Sequence, residues 1–331
     1  RLYKNGRQIK MKKDFYYLSR DGKTQIHAVE WMPEDEPKGI LQICHGMVEY
    51  IERYHEFAEY LCRHGYYVTG HDHLGHGKSV KDETEYGYFP KKNGNRCVIG
   101  DIHQLRMITS KKYPGVPYMM LGHSMGSFLL RQYLTEHGEG LAGVVIMGTG
   151  YQPMAVLEAG QLLCRVTALF KGWKYRSKFV DNLSFGSFNK RFEPGETGRE
   201  WVTSDTELCR RYVEDPMCMF RFTVGGYYQM FEGMKALSRA GSMAQIPRDL
   251  PVLFTAGADD PVGAFGKSVK KVYKKYKSAG MKKVAIKLYA GGRHEILNET
   301  IRNQVYEDLF VWCERCVRMC KGKGAQNEFS I

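Results

Sequence analysis

Residues 118–130 read YMMLGHSMGSFLL, an apolar strand-like run that turns into a helical one around a single serine. Gly122, Ser124 and Gly126 form Gly-x-Ser-x-Gly, with His123 between the first two. A turn this tight from strand to helix requires small residues beside the serine, and it lifts the Ser124 side chain out of the backbone into a cleft. Taken alone, the pentapeptide is also compatible with a glycine-bounded turn that does no chemistry. Its meaning depends on what the rest of the chain places around it.

Outward from this turn, short apolar runs alternate with longer amphipathic ones. GILQICHG, YYVTGHD, YMMLGHS, GVVIMGTG, PVLFTAG and VAIKLYAGG each have the pattern of a buried strand ending in glycine or a polar turn. Helical stretches lie between most of them. In IERYHEFAEYLCRHG, Tyr54, Phe57, Ala58 and Leu61 share one face and Gly65 suits a C-terminal cap. Ahead of them, FYYLSRDGKTQIHAVEW predicts a hairpin with a two-residue turn at Asp21-Gly22. Strands separated by helices predict an α/β fold, a mostly parallel sheet with helices on both faces.

From about Tyr151 to Ile246 the alternation stops and only helical patterns remain. Such an insertion is expected to cap the C-terminal edge of the strands, where open α/β sheets bind ligands. The expected organisation is a core over 11–150 and 247–320, a helical cap over 151–246, and tails at 1–10 and 321–331. Residues 1–10 are set aside from the fold reading because MKKDFYYLSRDGK, from Met11, makes a plausible start.

A serine hydroxyl needs a base, and on such a sheet the partners follow in the order Ser, Asp or Glu, His. His294, in AGGRHEILNE after the last predicted strand, is the only histidine beyond His137. For the acid, AGADDPVG offers two carboxylates. Asp260 precedes a proline, which pushes it into an extended conformation suited to holding an imidazole; Asp259 remains the reserve. The backbone N–H groups of Met47 and Met125 are where oxyanion donors are expected.

Together these motifs resemble the α/β-hydrolase superfamily, and within it the monoacylglycerol lipase, lysophospholipase and serine aminopeptidase group. The resemblance runs from about Phe15 to Cys316 and rests on HGMVEY (45–50), GHDHLGHGKS (70–79), GHSMGS (122–127), GADDPVG (257–263) and GGRHE (291–295). It implies an α/β-hydrolase fold with a helical cap. Ser124 would be the nucleophile, Asp260 the acid, His294 the base, and the Met47 and Met125 amides the oxyanion hole. It also implies a serine hydrolase of single-chain lipid esters, of the lysophospholipid or monoacylglycerol class, working through an acyl-enzyme. The alternatives are a serine peptidase acting on N-terminal residues and a non-catalytic binding protein of the same fold. DPMCMFRFTVGGYYQMFEG resembles the cap of bacterial members. Tyr50 departs from the histidine that monoacylglycerol lipases usually carry after the glutamate.

The remaining features have plainer readings. HDHLGHG could tempt one toward a metal site, but in this group it is a structural loop; no metal and no cofactor is expected. Cys313, Cys316 and Cys320 fall on one helix face and are expected to be core thiols. With 43% hydrophobic residues the chain can bury a large core. Neither a secretory signal nor a membrane span is evident, so a cytoplasmic location is expected. The net charge of +13 is partly concentrated in FGKSVKKVYKKYKSAGMKKVAIK, where Val269, Val272, Tyr273 and Tyr276 form an apolar stripe and lysines cover the rest. A basic surface can attract an anionic membrane, whereas no nucleic-acid motif accompanies it.

Overall fold

The computed structural model describes residues 12–239 and 241–322, and of residues 1–11 only a ribbon pairing Tyr3–Lys4 with Arg7–Gln8. Apart from that ribbon and the turn at 321–322, the tails expected at 1–10 and 321–331 lie outside the described residues.

One sheet contains β1 (Lys12–Leu18), β2 (Gln25–Trp31), β3 (Gly39–Cys44), β4 (Tyr66–His71), β5 (Tyr118–His123), β6 (Gly143–Met147), β7 (Val252–Gly257) and β8 (Val284–Tyr289). Their order is β8-β7-β6-β5-β3-β4-β2-β1. Strands β3 to β8 run parallel, and the β1–β2 hairpin adds to β4 antiparallel. Helices α1 (His55–Arg63), α2 (Gly94–Lys112) and α3 (Met125–His137) connect the strands as far as β6. Between β6 and β7 come α4 (Met154–Lys171), α5 (Lys178–Phe185), α6 (Thr206–Glu214) and α7 (Val224–Ser238), with no strand among the described residues. Helices α8 (Lys267–Ser278) and α9 (Arg302–Cys320) follow β7 and β8. The α/β arrangement read from the sequence is the one observed.

Strands β3 to β7 are buried at every position, the signature of a sheet covered on both faces. Because successive side chains point to opposite faces, each strand feeds two cores. Met120 and Ile146 pack with Val98 of α2, Leu130 of α3 and Val272 of α8. Met119, Leu121 and Val145 pack instead with Phe57 and Leu61 of α1 and Trp312 and Cys316 of α9. Each such side chain contributes about 1.5–3 kcal/mol when fully buried, so the two cores fix where the strand ends lie.

Two expectations need correction. The β1–β2 connection is a six-residue loop, 19–24, and not a two-residue turn: it is closed by Ser19 N–H to Thr24 O at 2.8 Å. The Asp21 carboxylate accepts from the Lys23 and Thr24 amides, both at 2.8 Å, and this local capping competes with a tight turn. Cys313 and Cys316 are core thiols as expected, but Cys320, at the last position of α9, is exposed. No helix among the described residues is long and apolar enough to cross a membrane.

Candidate active site

The elbow forms at the centre of the sheet. Ser124 has φ 52° and ψ −119°, a positive φ that a non-glycine residue rarely adopts. Its strain is held by the packing beneath it: a Cβ on Gly126 would overlap the Cys44 carbonyl oxygen at the end of β3, so only glycine lets α3 start this close to the sheet. The Ser124 N–H bonds Met147 O of β6 at 3.0 Å, and the Ser127 amide and hydroxyl return to Ser124 O at 2.9 and 2.6 Å.

Two loops at the same edge complete the cluster. His294, five residues beyond β8, sits 4% exposed with Nε2 at 2.8 Å from Ser124 Oγ. Its Nδ1 lies 3.0 Å from Asp260 Oδ1, and that carboxylate, fully buried, also accepts the Val262 N–H at 2.9 Å. Asp259 points elsewhere: its carboxylate pairs with Arg191 at 3.1 Å on the surface. Of the two neighbours weighed from the sequence, the fold therefore brings Asp260 and not Asp259 to His294. Met47 and Met125 line the cavity beside Ser124. Met125 opens α3, so its N–H has no acceptor within the helix.

His123, noted in the sequence only as part of the elbow, belongs to a buried polar network that the motifs alone did not expose. Its Nδ1 meets Glu49 Oε1 at 2.9 Å and its Nε2 meets His294 O at 3.2 Å. Glu49 also accepts from the Gly46 amide and, at 3.0 Å, from Tyr54 Oη. Burial by itself would raise the Glu49 carboxyl, yet His123 and Arg53 hold it well below its ordinary value. Burial likewise disfavours charging His123, and Glu49 outweighs it and raises that ring. The network ties the loop carrying Met47, the elbow and the His294 loop together. Arg53 adds a further tie through Glu295, next to His294. HGMVEY and GGRHE hold these acids in plain view, but which cation faces each is a property of the fold.

Behind them, the HDHLGHG loop is knotted on Asp72, which accepts from the Ile51 and Lys78 amides and from His27, each at 2.8 Å. The His45 ring packs against those of His73 and His76, and His71 stands edge-on to His73, with the His73 backbone N–H on His45 Nε2 at 2.8 Å. Burial and the neighbouring His45 ring push His71 and His76 down to about 3, so near neutral pH they are uncharged packing groups.

Above Ser124 opens a cavity of about 520 Å³. Phe128, Leu157, Leu163, Met230 and Phe231 give it apolar walls, and Trp201 from the chain between α5 and α6 lies 5.2 Å from the His294 ring.

A doubly covered, mostly parallel sheet with a serine elbow at its centre and helices inserted after β6 is an α/β-hydrolase fold. Residues 35–301 match the family described as serine aminopeptidase, S33, and the chain belongs to it. It is 26% identical over 293 residues to the monoglyceride lipase of Homo sapiens, covering 85% of this chain and 84% of that protein. With the monoglyceride lipase homolog of Monkeypox virus it shares 24% identity over 290 residues, covering 87% and 93%. Among solved structures, a thermostable carboxyl esterase from Bacillus coagulans in complex with glycerol superposes with a TM-score of 0.85 and 28% identity, over 93% of this chain and all of that one.

Proposed function

We propose that the protein is a carboxylic ester hydrolase of single-chain lipids, of the monoacylglycerol or lysophospholipid class, working through an acyl-enzyme on Ser124. The observation that carries this reading is the chain of contacts Asp260–His294–Ser124 at the floor of an apolar cavity. In it His294 Nε2 takes the Ser124 proton as Oγ attacks the ester carbonyl, and later returns it to the departing alcohol. Asp260 fixes the His294 tautomer and stabilises the imidazolium. The Met47 and Met125 amides take up the charge on the carbonyl oxygen. A water activated by His294 then releases the acid. The helical segment between β6 and β7 acts as the cap that shelters the acyl chain.

The family description raises a peptidase reading, in which a free α-amine must be held. The carboxylates lining the cavity argue against it, because each already has a cation: Glu49 with His123, Glu295 with Arg53, and Asp181 with Arg221. A series of acyl esters of increasing chain length, set against aminoacyl anilides, tests the choice. Burying each added CH₂ yields about 0.8 kcal/mol, so kcat/KM is expected to rise by up to about fourfold per methylene through the medium range. Activity on the anilides is expected to be weak; a flat response to chain length, or a preference for anilides, would move the protein to the peptidase class.

Peripheral contact with an anionic membrane is part of the same proposal. Leu162, Val166, Leu169 and Phe170 form an outward apolar stripe on α4, with Leu169 81% and Phe170 77% exposed, and Phe179 and Leu183 of α5 are exposed as well. Arg165, Lys171, Lys174 and Lys178, also exposed, lie along the same segment. Apolar anchors flanked by cations suit a surface of acidic lipid. Changing Leu169 and Phe170 together to Asp should weaken binding to phosphatidylglycerol vesicles at least about tenfold, the work of a few buried methylenes. Hydrolysis of a short soluble ester should be unaffected. Vesicle binding that survives the change would rule this face out.

A further inference from the structure

The charges lining the cavity do not balance one another. Its three carboxylates each already have a cation: Glu49 has His123 and Arg53, Glu295 has Arg53, and Asp181 has Arg221. Among the described residues, Arg199 is the one lysine or arginine in the lining, and its guanidinium has neither a hydrogen-bond acceptor nor a carboxylate partner. The backbone around it is nonetheless fixed. Its N–H donates to Thr197 Oγ1 at 3.1 Å, its carbonyl accepts the Val202 N–H at 2.9 Å, and Trp201, two residues on, lies against His294. The side chain is half-buried, and its positive charge reaches the buried phenol of Tyr212, another lining residue.

We propose that Arg199 forms a phosphate subsite, and that among single-chain esters the protein selects those whose alcohol half carries a phosphate over neutral ones. A guanidinium offers a planar fork of donors that matches two phosphate oxygens at once, and such charge-assisted pairs strengthen where water is partly excluded. A neutral glycerol head would leave that fork unmatched inside the cavity. This inference rests on the ester-hydrolase reading for its substrate, and on the cavity alone for its ligand chemistry.

The test has a kinetic arm and a binding arm. Arg199→Met is compared with the wild type on a lysophosphatidylglycerol and a monoacylglycerol of the same acyl chain. The substitution should lower kcat/KM on the phosphate ester by about 10- to 100-fold and on the neutral ester by less than about threefold, with Arg199→Lys intermediate. Equal losses on both esters, or no loss on the phosphate ester, would overturn the subsite and leave the hydrolase assignment standing. Failure of the wild type on both esters would instead count against the hydrolase reading. The binding arm needs no turnover: calorimetry with monododecyl phosphate should show tenfold or greater weakening in Arg199→Met, whereas dodecyl maltoside should bind both proteins alike. Inorganic phosphate, titrated separately, shows whether the ion is held without its lipid; tight binding of the free ion would reassign the site to phosphate itself. If monododecyl phosphate binds both proteins equally, Arg199 is a solvated rim residue and the proposal falls.

Discussion

Ser124→Ala is expected to abolish covalent labelling by a fluorophosphonate and to lower kcat by about 10⁶-fold, the scale seen when the nucleophile of such a triad is removed. The effect should be this large because Ser124 Oγ is the hydroxyl that His294 Nε2 meets, at 2.8 Å, and without it no acyl-enzyme can form. Folding should survive: the elbow is held by the Ser124 backbone N–H and by Gly126 against β3, neither of which needs the hydroxyl. Because the three residues work on one proton, Ser124→Ala combined with His294→Ala should cost little more than either change alone. Full labelling of the Ser124→Ala protein would show that another residue carries the chemistry.

The next largest effect separates two adjacent carboxylates. Asp260→Asn is expected to lower kcat by up to about 10⁴-fold, since an amide facing His294 Nδ1 favours the tautomer that cannot take the serine proton. Asp259→Asn should stay within about tenfold. Its carboxylate makes a surface ion pair with the exposed Arg191, and such pairs contribute roughly 0–1 kcal/mol. Parallel kcat measurements on the two variants decide the matter, and the reverse ranking would transfer the role to Asp259.

Much of this is legible in the sequence. Each of the six runs read as buried strands became one, because near-continuous apolar residues ending in glycine have few other uses in a doubly covered sheet. Ser124, His294 and Asp260 could be named from chain order and flanking residues, and they come together at one edge of the sheet. The hairpin loop differs from the two-residue turn because Asp21-Gly22 carries a turn signal whose outcome depends on where the Asp21 side chain bonds. The Glu49–His123 and Arg53–Glu295 pairs were not legible at all: their partners lie far apart in sequence and share no periodicity, so only the loop geometry reveals them. Arg199 is harder still, since what marks it is the lack of a partner among the described residues.

The seam between β6 and β7 has a consequence for how this scaffold diversifies. Val144 and Val252 are direct neighbours in the sheet, although the whole helical segment separates them along the chain. Closing a loop whose ends already touch costs an entropy that grows only with the logarithm of its length, so doubling or halving the segment changes that cost by about 0.6 kcal/mol. The roof is thus a cassette: it can be lengthened, shortened or exchanged while both its ends remain anchored in the same ladder. The chemistry beneath can stay constant while selectivity is rewritten above it.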